Sequence, residues 1–139
     1  MIALDTNVLI SLRSKNNSEN QLASEALAKA SAAGSLCICG AVFSELLGLP
    51  GRSGSELRQF FRSTGIFVDW KLEENDWETA GLAYQGYVKR RRTSGGGLPR
   101  RIATDFLIGA HASVRGYALL TSDKGIYQAA FPSLRIESY

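Results

Sequence analysis

Four carboxylates stand where a strand gives way to a helix or where a helix opens: Asp5, Glu45, Asp105 and Asp123. In an α/β chain such positions lie beyond the carboxyl ends of the strands, which is where open parallel sheets bind their ligands. Acids gathered there repel one another, by roughly 4 kcal/mol for two unit charges about 4 Å apart at an effective dielectric of 20. A cation among them relieves that repulsion and keeps their pKa values from climbing. The donors are all oxygen, with no Cys or His contribution, so the expected ion is hard: Mg²⁺ or Mn²⁺ rather than Zn²⁺. Such an ion lowers the pKa of a bound water and neutralises charge on a phosphoryl group.

Asp105 carries most of this argument. It is the only charge in Ile102-Ala103-Thr104-Asp105-Phe106-Leu107-Ile108-Gly109-Ala110, and a lone carboxylate is costly to bury unless something pairs with it. Each acid also has a plain structural use. Asp105 can cap a helix and favour its dipole. Asp5 can cap the turn Asp5-Thr6-Asn7, and Asp123 can form an Asx-turn before Lys124-Gly125. Glu45 can be a solvated helix residue. One shared site explains all four more economically than four separate uses.

The elements that must position these acids alternate between strand and helix. Apolar Ile2–Leu4 and Leu36–Cys39 read as strands, and residues 66–68, 117–121 and 134–137 as three more. Between them, 19–33 carries Leu22, Ala23, Ala26, Leu27 and Ala30 at helical spacing, with Gly34 as a stop. Glu45 lies in a helix with Val42, Leu46 and Leu47, and 56–62 reads as a short helix. A longer helix runs from 73 to about 92, with Trp77, Ala80, Tyr84, Tyr87 and Val88 on its apolar side. Ser94-Gly95-Gly96-Gly97 breaks it, and 102–114 is an apolar helix. Strands separated by helices imply βαβ units. The expected fold is a single α/β domain over 1–139, with a central, mainly parallel sheet flanked by helices.

The bulk numbers agree with one folded domain. The chain has 139 residues, 45% hydrophobic and 21% charged, which excludes a disordered chain and allows a real core. Asp5 interrupts the apolar start before a signal-peptide core could form, and no apolar run reaches membrane-spanning length. A cytoplasmic protein without a membrane partner is expected. Cys37 and Cys39 alternate on one strand, point to one face and cannot easily bridge, so buried reduced thiols are expected. A net charge of +3 and a pI near 9.0 hint mildly at a polyanionic partner.

Four segments, in order and spacing over essentially the whole chain, resemble the PIN-domain family. They are Ile2-Ala3-Leu4-Asp5-Thr6-Asn7-Val8-Leu9-Ile10, Ser44-Glu45-Leu46, the stretch from Pro99 through Asp105 to Ala112, and Leu119-Leu120-Thr121-Ser122-Asp123. Within that family the resemblance is to the VapC toxins of bacterial and archaeal type II toxin–antitoxin pairs. It implies a Mg²⁺- or Mn²⁺-dependent endoribonuclease that stops translation by cutting RNA, with tRNA or rRNA as targets. It also implies a cognate VapB-like antitoxin and a homodimer. Asp5 and Asp105 would ligate the metal directly, Asp123 would join them or act through water, and Glu45 would orient or deprotonate the attacking water. Thr121 and Thr6 would hydrogen-bond within the acidic site. Ser122 is smaller than the residue the family usually has there, which bears on substrate contacts rather than on the chemistry.

Other residues are weighed beside these. Lys89, Arg90, Arg91, Arg92, Arg100 and Arg101 flank the glycine run with no acid among them, a stretch that could grip RNA phosphates. Cations at a helix C-terminus also suit its dipole. His111, the sole histidine, reads as a core or dimer-interface residue rather than a catalytic one. Trp70, Trp77, Phe60, Phe61 and Tyr84 read as core or interface residues rather than base-stacking surfaces. Phe60 and Phe61 are adjacent on a short helix, so one of them is expected to line a groove for an antitoxin or a second copy of the chain.

Two other classes fit less well. A haloacid-dehalogenase-like phosphatase wants a second aspartate two residues after the first, where this chain has Asn7. A non-catalytic PIN-like module that binds RNA or a partner would be favoured by a missing acid, and none is missing.

Overall fold

Ile2–Leu4 forms strand β1 and is buried along its whole length, as a strand covered by helices on both faces must be. The computed structural model describes residues 1–96 and 103–139. After β1 come α1 (Thr6–Ser11), α2 (Asn17–Ala33), β2 (Leu36–Cys39), α3 (Gly40–Gly48) and α4 (Gly54–Thr64). The chain continues through β3 (Phe67–Asp69), α5 (Glu74–Thr93), α6 (Thr104–Val114), β4 (Ala118–Thr121), α7 (Lys124–Ala130) and β5 (Ile136–Ser138). The sheet order is β3-β2-β1-β4-β5 and every pairing is parallel.

That order locates a site before any side chain is considered. The chain builds outward from β1 through β2 to β3, then returns to lay β4 against the other edge of β1. Loops leaving β1 and β4 therefore diverge to opposite sides and open a crevice at the carboxyl ends of these two strands. Leu4 pairs with Leu120, and the Asp5 N–H donates to the Leu120 carbonyl at 3.0 Å, which fixes the floor of that crevice.

Helices α5 and α6 pack against each other, with Tyr84 and Tyr87 meeting Phe106 at ring distances of 5.4 and 5.5 Å. Helix α6 approaches α7 and the segment after it closely. A Cβ built on Gly109 would lie 2.2 Å from the Phe131 ring. Both residues are in the buried core, so neither has room to give. Gly109→Ala is expected to cost about 3 kcal/mol through overpacking, read as a lower urea midpoint with an unchanged slope; a midpoint at or above the parent's would refute that crowding.

A polar network spans β3, α5 and α6. Arg115 Nε donates to Asp69 at 2.9 Å, its Nη1 to the buried Asp76, and its Nη2 to the Lys71 carbonyl at 2.9 Å. His111 Nε2 also meets Asp69, at 3.1 Å. His111 is wholly buried, which pushes its pKa below the ordinary value against the opposing pull of Asp69. It is thus a core residue. Burial also pushes the Cys37 thiol up to about 12, and both cysteines are free and buried.

Several expectations need correction. Helices α1 and α7 were not visible in the sequence pattern, since six and seven residues are too few to show a helical period. Helix α6 begins at Thr104 with Ala103 as its N-cap, and residue 102 lies outside the described residues. Trp70 and Trp77 are not core: they are 57% and 55% exposed. Trp77 lies one turn before fully buried Ala80, but there it is Asp76 that faces the interior and Trp77 that points out of it. Phe61 is buried, while Phe60 is half-buried, packing on the core rim with its ring 5.3 Å from that of Phe61. The two rings therefore share one core edge instead of facing apart, and Phe60 also lines a groove.

Candidate active site

Asp5 is placed by β1 and held by α1. It is 3% exposed and N-caps α1, with Oδ1 accepting the Thr6 N–H at 2.7 Å. Its Oδ2 accepts from the Asn7 amide at 2.6 Å and from the Thr121 hydroxyl at 2.7 Å. The Thr121 hydroxyl in turn accepts from Asn7 Nδ2 at 3.0 Å and from the Asp123 N–H at 3.0 Å. Asn7 closes the loop by accepting the Ser122 N–H at 3.2 Å. One aspartate, one amide and one hydroxyl thereby lock the ends of β1 and β4 together.

The other acids are brought to this crevice by separate helices. The Thr6 hydroxyl donates to Glu45 Oε2, so α1 tethers the exposed Glu45 of α3. Asp105 lies half-buried in the first turn of α6, with the Tyr127 hydroxyl 3.5 Å from its Oδ1. Asp123 is exposed and N-caps α7, accepting the Gly125 N–H at 3.2 Å. Capping and site membership coexist here: Asp5 and Asp123 are both caps, while Asp105 is not the cap of its helix.

The electrostatics show that the four acids share one field. Burial raises the pKa of Asp5, against hydrogen bonds from Thr121 and Thr6 that lower it, and the charge of Glu45 adds to the rise. Burial also raises Asp105, and the charges of Asp5, Glu45 and Asp123 push it further. Among the described residues, no Lys, Arg or His forms an ion pair with any of the four. Tyr127 is buried beside these acids, and burial together with the charges of Asp5 and Asp105 pushes its phenol far above the usual range. It therefore stays protonated and can only donate to the carboxylates.

These residues fit a hard divalent ion. They offer oxygen donors only, and among the described residues no side chain forms an ion pair that neutralises their mutual repulsion. Among the described residues, no three His, Cys, Asp or Glu side chains are close enough to make a closed ligand set. Mg²⁺ is commonly held by one or two carboxylates, with water and substrate phosphate completing its shell. Asp5 and Asp105 can supply that pair.

All four acids, with Thr6 and Thr121, thus come to one crevice. Arg90, Arg91 and Arg92 do not join it: they are exposed on the last turn of α5. Arg90 and Arg91 line a separate cavity of about 430 Å³ against α7, beside Gly125. Arg100 and Arg101 lie outside the described residues. The sequence reading missed Tyr127 and the clamping role of Asn7. Both had a signal: Asn7 follows Asp5 by two residues, and Asp123 followed by Ile126-Tyr127 is an N-cap followed by apolar residues one turn on.

Comparison with solved structures finds the same architecture at low sequence identity. VapBC-1 from nontypeable Haemophilus influenzae matches with a TM-score of 0.65 and 21% identity over 99% of this chain and 98% of that one. FitAcB from Neisseria gonorrhoeae matches at 0.59 and 20%, over 98% of this chain and 96% of that one. VapBC2 from Rickettsia felis, bound to a DNA fragment from its promoter, matches at 0.58 and 19%, over 99% and 98%. No curated protein sequence matches. The family model for the PIN domain matches residues 2–132, so this chain, with its all-parallel sheet and its crevice of acids, belongs to the PIN domain family.

Proposed function

We propose that the chain acts over its full length, 1–139, as a metal-dependent endoribonuclease and as the toxin of a type II toxin–antitoxin pair. The observation that carries this reading is the convergence of Asp5, Glu45, Asp105 and Asp123 in a crevice whose negative charge has no cationic partner among the described residues. Asp5 and Asp105 are the residues that would hold Mg²⁺ or Mn²⁺ directly, with Asp123 joining them or acting through water. When bound, such an ion acidifies water and neutralises charge on the phosphate being cut.

The remaining roles belong to the side chains around these acids. Glu45, which accepts from Thr6, would orient or deprotonate the attacking water. Asn7 and Thr121 fix the Asp5 carboxylate through Oδ2, and Oδ1, which accepts the Thr6 N–H, keeps a lone pair for an ion. Tyr127 would serve Asp105 as a donor, with its protonated hydroxyl 3.5 Å from Oδ1.

The toxin reading draws on the VapBC and FitAB complexes among the similar structures. A VapB-like antitoxin would then be the partner. A groove of about 450 Å³ lined by Leu9, Leu12, Leu46, Leu57 and Phe60 is a suitable apolar seat for it, with Arg13 and Arg52 at its rim. A homodimer and a cytoplasmic location belong to the same proposal; no helix among the described residues is long and apolar enough to cross a membrane.

The test is cleavage of a panel of tRNA and rRNA by the purified chain with Mg²⁺, Mn²⁺ or EDTA. Cutting with either metal and none in EDTA is the expected result. RNA bound but left whole by a folded, antitoxin-free protein in every metal would instead make the chain a binding module.

A further inference from the structure

The chain has two tryptophans, and both stand on one groove beside the acids. Trp70 follows β3 and Trp77 lies in the first turn of α5. They line a cavity of about 950 Å³ together with Ser44, Glu45, Lys71 and Thr104. Each ring is held by a neighbour. Trp70 meets Phe43 in a T-shaped arrangement with ring centroids 4.8 Å apart, and the Trp77 indole N–H donates to the Leu72 carbonyl at 3.0 Å. The segment between them is braced by Arg115 through Asp69, Asp76 and the Lys71 carbonyl. The outcome is two aromatic surfaces, each more than half exposed, with the indole N–H of Trp77 already satisfied.

The groove also has a direction. Glu45 lines it and is the residue tethered to Thr6 at the acid crevice, while Thr104 adjoins Asp105. The aromatic groove therefore runs into the carboxylates. Lys71 puts a cation on its wall, where a strand leaving the crevice would bring a phosphate, and Glu73, which also lines the groove, is engaged in the α5 capping box. Flat π surfaces beside a cation suit an unpaired base, because every base has a face to stack while a duplex hides it.

Resting on the nuclease reading, we propose that Trp70 and Trp77 form a stacking subsite for an unpaired nucleobase of single-stranded RNA next to the phosphodiester cut at the acids. The same reading makes Arg115 a positioning residue, acting through the segment that carries Lys71 and Trp70. A second copy of the chain could also cover these rings; the convergence of the groove on Glu45 favours RNA.

The experiment uses tryptophan fluorescence, which reports on this groove alone because no other tryptophan exists. Asp105→Asn protein, chosen so that RNA is not consumed, is titrated in Mg²⁺ with a single strand of about eight nucleotides, a length such surfaces cover. The same sequence as a duplex is titrated beside it. The single strand is expected to quench and the duplex not. Trp70→Ala and Trp77→Ala, each in that background, are expected to weaken binding about tenfold, as loss of one stacked base does. Trp→Phe at either position should recover most of it. Cutting by the parent chain is measured in parallel. Cutting without quenching, and with affinity indifferent to both tryptophans, overturns the subsite and leaves the nuclease. Quenching by a parent that cuts nothing in any metal overturns the nuclease reading instead. A Trp→Ala change that alters the sedimentation coefficient and leaves RNA affinity untouched assigns the rings to a second copy and also overturns the subsite.

Discussion

Asp5→Asn and Asp105→Asn proteins will each cut RNA on the order of a thousandfold more slowly than the parent, about 4 kcal/mol of lost transition-state stabilisation. The reason is in the charges. Each substitution removes a formal negative charge from a crevice with no cationic side chain among the described residues, and so removes the reason for a divalent ion to reside there. Stability will move differently from activity, and that separates a dead site from a broken fold. The pKa of Asp105 is raised by burial and by its acidic neighbours. An acid with a raised folded pKa stabilises the fold most below its ordinary value, and that contribution is lost as pH rises through the folded pKa. In metal-free buffer the parent should therefore lose stability relative to Asp105→Asn as pH rises from the ordinary carboxylate range toward neutrality. Near-normal cleavage by either variant would end the assignment of these acids.

Arg115→Met should be the most damaging single change outside the crevice, at about 3–5 kcal/mol. Arg115 is the ion-pair partner of Asp76, whose side chain is 1% exposed and whose other oxygen accepts the Glu73 N–H at 2.7 Å as half of the α5 capping box. Without the guanidinium, a buried carboxylate keeps its desolvation penalty and loses its cation. Asp69 is less affected, since it keeps His111 and the Lys71 N–H and is part-exposed. A cost of that size is a large share of the stability of an ordinary domain and should lower the melting temperature by roughly 10 °C. Adding Asp76→Asn should restore much of the loss, because an amide oxygen still serves the capping box and carries no charge. Unchanged melting in Arg115→Met would show the pair to be dispensable.

The sequence carried the fold where apolar runs were long enough to have a period. Strands β1 and β2 were read at their observed bounds, and α2 and α5 were read within two residues. Asp5, Asp105 and Asp123 were legible for the same reason: each follows or opens an element whose type was clear, whereas Glu45 lies in the middle of α3. The short helices escaped. Tyr127 escaped with α7, since an aromatic in a seven-residue helix looks like any core side chain until the acids around it are seen. Asn7 read as part of a turn, yet its amide spans both strands that make the crevice. The tryptophans mark another limit: spacing assigns a residue to a face but cannot say where the core beneath that face ends. Trp77 and Ala80 lie one turn apart and have opposite fates.

The Thr121 hydroxyl reaches Asp5 across 116 positions of sequence. A chain leaves the ribosome from its N-terminus, so Asp5 is made 116 residues before the hydroxyl that completes its hydrogen bonds. No nascent fragment that ends before β4 can arrange that carboxylate, however well its earlier helices form. For a protein proposed to cut the RNA of translation, topology acts as a timer: the crevice is incomplete until β4 has left the ribosome.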